Sequence, residues 1–267
     1  MVLVGLWVAA TSVSAMTDSV PPPPSNLAPP AGYAAFQGTE FAKGGIRRVR
    51  GLALAILILM AIYALASVLS LAVVGSVKEA SEDFLAGSLT AEEFDDKLGT
   101  YGLGGLLSIV GLLGGVVVSM IWLYRMVSNH RVLGRAGFWA PLWAIFGWFL
   151  PPFLFVIPFL LLIETWNAAD PQSPRGSDSW KRGGIPPVLL VWFAIFGLAR
   201  TAATFLTGSP FDQFSRDRDK LAGRFVDHAA GVSIQAVVEV LGAAAWGALV
   251  WTLTRRHTEL TGETSGR

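Results

Sequence analysis

Residues 51–75 read GLALAILILMAIYALASVLSLAVVG and contain no charged side chain. A helix of this length crosses the roughly 30 Å hydrocarbon core of a bilayer with some tilt. Arg47, Arg48 and Arg50 stand directly before the run. Because Lys and Arg residues accumulate on the cytoplasmic side of membrane helices, we expect this span to begin in the cytoplasm and to run outward.

The composition of the whole chain is typical of a membrane protein. Of its 267 residues, 53% are hydrophobic and 15% are charged, against about 25% charged residues in soluble domains. The mean hydropathy is +0.54. A net charge of +1 provides no basic surface for nucleic acid. The chain has no Cys and its three His residues form no metal-binding motif, so we expect neither a metal nor a cofactor.

Three further apolar runs predict three more spans, at residues 102–124, 185–207 and 230–253. Before the second span, Thr90 and Glu93 have the spacing of a capping box, which predicts a short helix in an acidic outer loop. Within the second span, Gly111 and Gly115 lie four residues apart. This spacing favours close packing of a neighbouring helix, and close approach of a ligand is the alternative.

Residues 138–163 are also apolar, but Pro151 and Pro152, just after Trp148, divide them into halves too short to cross alone. The segment is therefore either one strongly kinked span or a re-entrant hairpin that enters and leaves on one face. A hairpin keeps most Lys and Arg residues on the inner side, whereas a single crossing distributes them more evenly. The positive-inside rule thus favours the hairpin, with both termini in the cytoplasm.

These patterns predict an all-α, polytopic helical membrane protein with four transmembrane helices and one Pro-broken membrane segment. The helical membrane domain covers residues 46–255, and residues 256–267 form a cytoplasmic tail. Residues 16–45 are rich in Pro, which lacks an amide donor, so we expect a disordered cytoplasmic tail there. Residues 1–15 are apolar without a basic start. They are an over-called start before Met16, a signal-like segment or a short helix.

Two ionisable residues lie inside predicted spans, Arg200 in the third and Glu239 in the fourth. Each costs about 2.5–3.5 kcal/mol at the bilayer centre, so each needs a partner or water. At 1.5 Å per residue the two lie at similar depths of roughly 10 and 14 Å, and antiparallel neighbours would bring them together. We expect a structural ion pair; a functional site for an anion or a proton, or an Arg200 that snorkels alone, are the alternatives.

Residues 208–229, between the last two spans, have an amphipathic pattern with Phe211, Phe214, Leu221 and Phe225 near one face. Such a helix lies in the membrane interface over the outer mouth of the bundle. It is either a lid or an ordinary connecting helix.

One set of residues carries a family resemblance: Trp122-Leu-Tyr-Arg125-x3-Asn129-x3-Leu133-Gly134, then Trp139-x-Pro141-x-Trp143-x3-Gly147-Trp148-Phe149-Leu150-Pro151, and Glu164-x-Trp166. The set resembles actinobacterial multi-pass proteins that share the domain of unknown function four-three-two-eight. The resemblance implies a Pro-rich cytoplasmic N-terminus and no assigned activity. Family members often place an Asn shortly after the Trp-Phe-x-Pro turn, whereas residues 152–154 here are apolar.

Arg125 and Asn129 are neighbours at i and i+4 on the end of a helix. We expect them to form a polar clamp that holds the Pro-broken segment against the second span. Their side chains would bind the carbonyl groups that Pro151 leaves without an amide partner.

The most economical function is a non-enzymatic scaffold or accessory subunit of the plasma membrane. Its partners would be the lipid bilayer and other membrane proteins or further copies of itself, without nucleic acid. We expect no catalytic residues, because nucleophile and metal-ligand constellations are missing from the sequence. The alternative is a small-molecule or ion transporter that uses the broken segment with Arg200 and Glu239. A transporter needs a polar cavity at these two residues, whereas a scaffold needs an exposed face at Gly111 and Gly115.

Overall fold

The computed structural model describes residues 45–150, 155–174, 177–207, 215 and 217–263, and these contain helices and no strand. The helices are α1 Arg50–Leu85, α2 Ala91–Val132, α3 Trp143–Phe146, α4 Val156–Ala168, α5 Pro187–Trp192, α6 Arg200–Phe205 and α7 Arg218–Thr261. A π-helix, Phe193–Ala199, joins α5 to α6, and a short 3-10 helix covers Ser179–Arg182. The predictions for residues 1–15 and for nearly all of residues 16–45 lie outside the described residues.

Four helices are long and apolar enough to cross a membrane, which confirms the predicted fold class. They are α1, α2, α7 and the continuous 19-residue helix Pro187–Phe205. The capping box predicted at Thr90 and Glu93 is present, but it begins the 42-residue α2 and not a separate short helix. A 42-residue helix is about 63 Å long, twice the hydrocarbon thickness, so the charged ends of the long helices extend beyond their apolar stretches.

Helix α1 is the central element and packs lengthwise against both α2 and α7. The predicted small-residue contact lies in the α1–α2 interface, where Gly111 and Gly115 are buried. A Cβ atom on Gly111 would lie 2.8 Å from the Tyr63 nitrogen and 2.9 Å from the Leu59 oxygen. The glycines therefore serve packing within the chain, and they do not form an exposed face for a partner.

Four tryptophans connect the long helices to the rest of the fold. Trp246 of α7 lies 6.3 Å from Trp122, 5.0 Å from Trp192 and 6.1 Å from Trp148 between ring centroids. Three of the indole N–H groups have hydrogen-bond acceptors, since Trp122 donates to Thr254, Trp246 to Ser119 and Trp148 to the Ala144 carbonyl. Because buried indoles need such acceptors, these bonds fix the packing of the cluster, which we call the tryptophan cluster.

The two ends of the Pro-broken segment lie next to each other. The Glu164 carboxylate accepts hydrogen bonds from the backbone N–H groups of Phe138, at 2.8 Å, and Trp139, at 3.3 Å. A continuous helix of 26 residues would separate these ends by about 39 Å. The segment therefore returns to the end of the bundle where it begins, as a re-entrant hairpin does. Trp148 is within the described residues, whereas Pro151 and Pro152 lie outside them.

One end of the bundle collects the start of α1 and the C-terminal ends of α2 and α7. The Glu263 carboxylate accepts hydrogen bonds from the N–H groups of Val49 and Arg50, the N-cap residue and the first residue of α1. Arg256 pairs with Asp170 at 2.8 Å at the same end. We call this the basic end, and the end with the α1–α2 turn and the start of α7 the opposite end.

The Gly111 contact predicts a strong effect of one added methyl group. Gly111→Ala places its Cβ against backbone atoms that cannot move independently, and we expect a loss of about 1–3 kcal/mol of stability. The matched control is Gly102→Ala on the same helix, because no atom lies within 4 Å of its Cβ. Thermal unfolding of the purified variants in detergent measures the difference. Equal midpoints for both variants would contradict the close contact.

Candidate functional site

A cavity of about 580 Å³ lies between α1, α2, α6 and α7, towards the opposite end of the bundle. This volume is within the range of small-molecule sites. Apolar side chains form much of its wall. Its polar lining residues come from four helices and are Tyr63, Ser70, Tyr101, Ser108, Arg200, Arg224, Gln235 and Glu239.

Glu239 is held at the cavity by two hydrogen bonds. Ser67 of α1 donates to one carboxylate oxygen at 2.9 Å, and Gln235 of α7 donates to the other at 3.1 Å. Ser67 is itself buried, with 1% of its surface exposed. These two neutral donors satisfy part of the hydrogen-bonding capacity of the carboxylate but do not neutralise its charge. The Ser67 bond also connects α7 to α1 within the membrane-spanning region.

Arg200 lies at the junction between the π-helix and α6, with its guanidinium 5.3 Å from the centre of the Phe196 ring. The expected ion pair with Glu239 is not formed, since the salt bridges among the described residues include no Arg200–Glu239 contact within 4.0 Å. The carboxylate is already held by Ser67 and Gln235, and Arg200 comes from a different helix across the cavity. The two charges therefore share a cavity without neutralising each other directly.

The Tyr63 hydroxyl is the third polar group at this point. Its side chain is 2% exposed, and within the described part of the chain its oxygen has no hydrogen-bond partner. The hydroxyl faces both Glu239 and Arg200 closely enough to interact with each electrostatically. Sequence analysis missed this residue, because a single Tyr in an apolar span ordinarily packs in a core.

The start of α7 closes the cavity at the opposite end. Helix α7 has a kink at His228, where φ is −124° and ψ is 15°, and its first ten residues cross the ends of α1 and α2. Arg224 is buried here, and its Nε donates to the Thr207 carbonyl at 3.3 Å. The amphipathic pattern indicated this covering position through Leu221 and Phe225, whereas its Phe211 and Phe214 lie outside the described residues. Leu221, Arg224 and Phe225 line the cavity from this segment, which we call the cover.

An exposed ion pair attaches the cover to α2. Arg218 donates two hydrogen bonds to Asp95, at 2.9 and 2.6 Å. The Arg218 guanidinium holds the pKa of the Asp95 carboxyl below its usual range. Because both side chains are about half exposed, the pair sets the position of the cover more than it stabilises the fold.

The side of the cavity between α2 and α6 is not sealed by helix packing. Helix α6 packs against α7 and has no extensive contact with α2. Leu106 and Ile109 of α2 border the cavity and are 64% and 45% exposed at the surface that faces lipid in a membrane. Gly102 and Gly105 border it as well, and no atom lies within 4 Å of an added Cβ on either. As far as residues 45–150, 155–174, 177–207, 215 and 217–263 show, the cavity is therefore accessible from the side of the bundle.

The polar clamp at Arg125 and Asn129 exists, but it holds a different segment from the one predicted. Asn129 accepts a hydrogen bond from the Arg47 N–H at 2.9 Å and donates to the Arg47 carbonyl at 2.8 Å. Arg125 donates to the Arg48 carbonyl at 3.1 Å. These side chains bind the backbone before α1, because the end of α2 lies beside it. None of their hydrogen bonds within the described residues reaches the Pro-broken segment.

Two buried histidines extend this clamp across the basic end. The Asn129 amide nitrogen lies 3.1 Å from His257 Nε2, and His257 Nδ1 lies 3.1 Å from His130 Nε2. Because the amide nitrogen is a donor, His257 Nε2 accepts and the proton of this neutral ring resides on Nδ1. The pair joins α2 to α7. Sequence analysis missed it, since 127 residues separate the two histidines and no local motif marks them.

A second cavity of about 590 Å³ lies at the basic end beside the hairpin. Glu164 is the carboxylate in its lining, and it is already engaged with the backbone of Phe138 and Trp139. Because this carboxylate already holds the two ends of the hairpin together, the cavity at Arg200 and Glu239 is the stronger candidate site.

Four long apolar helices, a returning hairpin and a polar cavity between the spans define a polytopic helical membrane protein. The family model described as Domain of unknown function (DUF4328) matches residues 86–258, well over half of the chain. The chain belongs to this family. The match includes Arg200, Glu239 and the two histidines, whereas α1 precedes it. Searches of curated proteins and of solved structures found no match.

The clamp predicts a loss of stability when Asn129 is replaced by Leu. The change leaves the Arg47 backbone groups and His257 Nε2 without their partner, at a cost of about 1–3 kcal/mol. The control is Ser128→Ala, because the Ser128 hydroxyl bonds only to the Tyr124 carbonyl in its own helix. Thermal unfolding in detergent provides the readout. A Leu variant as stable as the Ala variant would rule out the clamp.

The histidine pair predicts a stability that depends on pH. His257 lies beyond the apolar stretch that ends at residue 253, and burial lowers its pKa from 6.5 to about 4. The unfolded chain therefore binds more protons below pH 6.5, so stability is complete above pH 6.5 and is lost progressively towards pH 4. His130 contributes in the same direction, since burial and then the charges of His257 and Arg135 lower its pKa.

Unfolding midpoints of the wild type and of His257→Gln between pH 4.5 and 7.5 measure this dependence. We expect the wild-type midpoint to fall as the pH decreases and the variant to show a weaker dependence. Parallel curves for the two proteins would show that His257 does not titrate as described.

Proposed function

We propose that this protein binds and carries a small molecule across or within the membrane, by means of the cavity at Arg200 and Glu239. One observation carries the proposal: the Arg200 guanidinium, the Glu239 carboxylate and a Tyr63 hydroxyl without a hydrogen-bond partner among the described residues face one cavity between the spans. Ionisable groups inside a membrane are costly and are typically found where they bind a substrate or an ion. A purely structural pair would bring the two charges into contact.

The alternative role as a scaffold has less support. A scaffold requires an exposed small-residue face, and Gly111 and Gly115 instead pack against α1 within the chain. The apolar side chains that remain exposed on α1 and α2 are those expected of helices in contact with lipid.

Two irregular elements also favour a carrier. The span Pro187–Phe205 contains a π-helical segment directly before Arg200, and π-helical turns are frequent at functional sites. The hairpin brings Trp148 into the tryptophan cluster, which separates the cavity from the basic end. Discontinuous membrane segments of this kind commonly border the binding sites of transporters.

The proposal sets the protein in the plasma membrane with the basic end in the cytoplasm. The concentration of Arg residues at that end supports this orientation. The cavity then lies in the outer half of the membrane, under the cover. We propose no chemical step, and the partners are the bilayer and the carried molecule.

Thiol labelling tests whether water reaches the cavity. The chain has no Cys, so single substitutions give clean signals. We expect a small charged methanethiosulfonate reagent, added to the protein in detergent where the side between α2 and α6 is not covered by a bilayer, to label Ser70→Cys and Gln235→Cys, because labelling requires a hydrated thiolate.

Two control positions should not react. Ser119 is 2% exposed and bonded to Trp246, and Val117 is 55% exposed at the surface expected to face lipid. No labelling of Ser70→Cys and Gln235→Cys above the level of Ser119→Cys and Val117→Cys would mean a dry cavity. That result would favour the scaffold.

A further inference from the structure

We propose that the cavity binds the anionic head of a singly charged amphiphile, such as a long-chain carboxylate or an anionic lipid, which enters from the bilayer between α2 and α6. This inference rests on the proposed function, because it names the class of molecule that the cavity takes. It follows from the charge of the cavity, from one unpartnered donor and from the side on which the cavity is accessible.

The fixed charge of the cavity favours one negative charge in the ligand. Among the described residues, the ionisable ones that line it are Tyr63, Tyr101, Arg200, Arg224 and Glu239. With both tyrosines neutral, two guanidinium groups face a single carboxylate, so these residues have a net charge of +1. An uncompensated charge away from water is strongly unfavourable. A monoanion compensates it, whereas a cation would add to it.

The donors that would hold the anion are already in place. The Tyr63 hydroxyl is almost completely buried and has no partner within the described residues. Buried hydroxyl groups nearly always have a hydrogen-bond partner. The Glu239 carboxylate and Arg200 lie near this hydroxyl but beyond hydrogen-bond distance, so an acceptor bound between Tyr63 and Arg200 would complete the site. Arg200 faces the same point and makes no salt bridge with another described residue. A carboxylate or phosphate oxygen would accept from both groups.

The accessible side of the cavity distinguishes an amphiphile from a water-soluble anion. The cover closes the opposite end through Leu221 and Phe225, while the side between α2 and α6 has no extensive helix contact. Leu106 and Ile109 flank this side and are exposed where lipid would lie. An acyl chain would lie along these side chains with its head at Arg200, whereas a soluble anion would gain nothing from them.

Binding of cis-parinaric acid, a fluorescent 18-carbon carboxylate, tests the inference on the full-length protein in detergent. We expect saturable energy transfer from the protein's tryptophans to the probe. Excess dodecanoate should displace the probe, and the methyl ester of parinaric acid should bind at least tenfold more weakly because it lacks the charge. Equal binding of acid and ester, or equal displacement by acetate, would overturn the proposal.

A second competitor distinguishes the two sources of the anionic head. Displacement by phosphatidylglycerol as well as by dodecanoate would support a lipid headgroup as the ligand. Displacement by dodecanoate alone would support a free long-chain acid. Displacement by dodecylammonium as effective as that by dodecanoate would overturn the choice of an anion.

Substitutions assign the binding to the cavity. We expect Arg200→Gln to weaken binding at least tenfold and Tyr63→Phe several-fold, while Arg255→Gln, in the exposed pair with Glu259 at the basic end, leaves binding unchanged. Glu239→Gln should retain or strengthen binding, because it removes the competing negative charge. Wild-type affinity in Arg200→Gln would overturn the proposal.

A pair of glycine variants keeps the test decisive where Arg200→Gln does not fold. Gly105 and Gly99 both lie on α2 with no atom within 4 Å of an added Cβ, but only Gly105 lines the cavity. Gly105→Phe should abolish binding and Gly99→Phe should not. Equal affinity of the two variants would overturn the proposal. Thiol labelling of Ser70→Cys without saturable binding would refute the anionic amphiphile and leave the hydrated cavity intact.

Discussion

The contact between the backbones of α1 and α2 at Gly111 is the constraint on which the remaining bundle depends. Without a hydrophobic force between helices in lipid, association relies on van der Waals packing, which is strongest where small residues let backbones approach. Gly111 lies directly against Tyr63 of α1. Tyr63 also presents its hydroxyl to the cavity. The distance between α1 and α2 therefore also determines the position of this hydroxyl relative to Arg200 and Glu239.

Two polar clusters then connect α7 to this pair of helices at different heights. Towards the opposite end the bond between Ser67 and Glu239 links α7 to α1, and at the basic end the two histidines link it to α2. The tryptophan cluster lies between them, and its buried polar groups are bonded within it, as in the bonds from Trp122 to Thr254 and from Trp246 to Ser119. The start of α7, before the kink at His228, is attached differently, through Phe225 and an exposed ion pair.

Sequence patterns predicted the four long helices, the returning segment and the close α1–α2 packing, because apolar length and small residues act locally. They predicted the wrong binding partner for Arg125 and Asn129. From the sequence, backbone groups of the Pro-broken segment and of the start of α1 are equally suitable partners for these side chains. The ion pair of Arg200 with Glu239 was expected from depth alone. Depth along a helix does not include rotation about its axis. Gln235 stands at i and i+4 spacing from Glu239, but Ser67 is 172 residues away and no local pattern connects it to the carboxylate. The distant histidine partners left no local pattern.

The π-helical turns Phe193–Ala199 have a consequence for the orientation of Arg200. Each residue of an α-helix turns the chain by about 100°, and a π-helical turn accommodates one residue more than an α-helical turn. Conversion of these turns to α-helical geometry would therefore rotate Arg200 by about 100° and displace it by about 1.5 Å along the axis, without breaking the span. The direction in which Arg200 points therefore depends on the π-helical geometry of the seven residues before it.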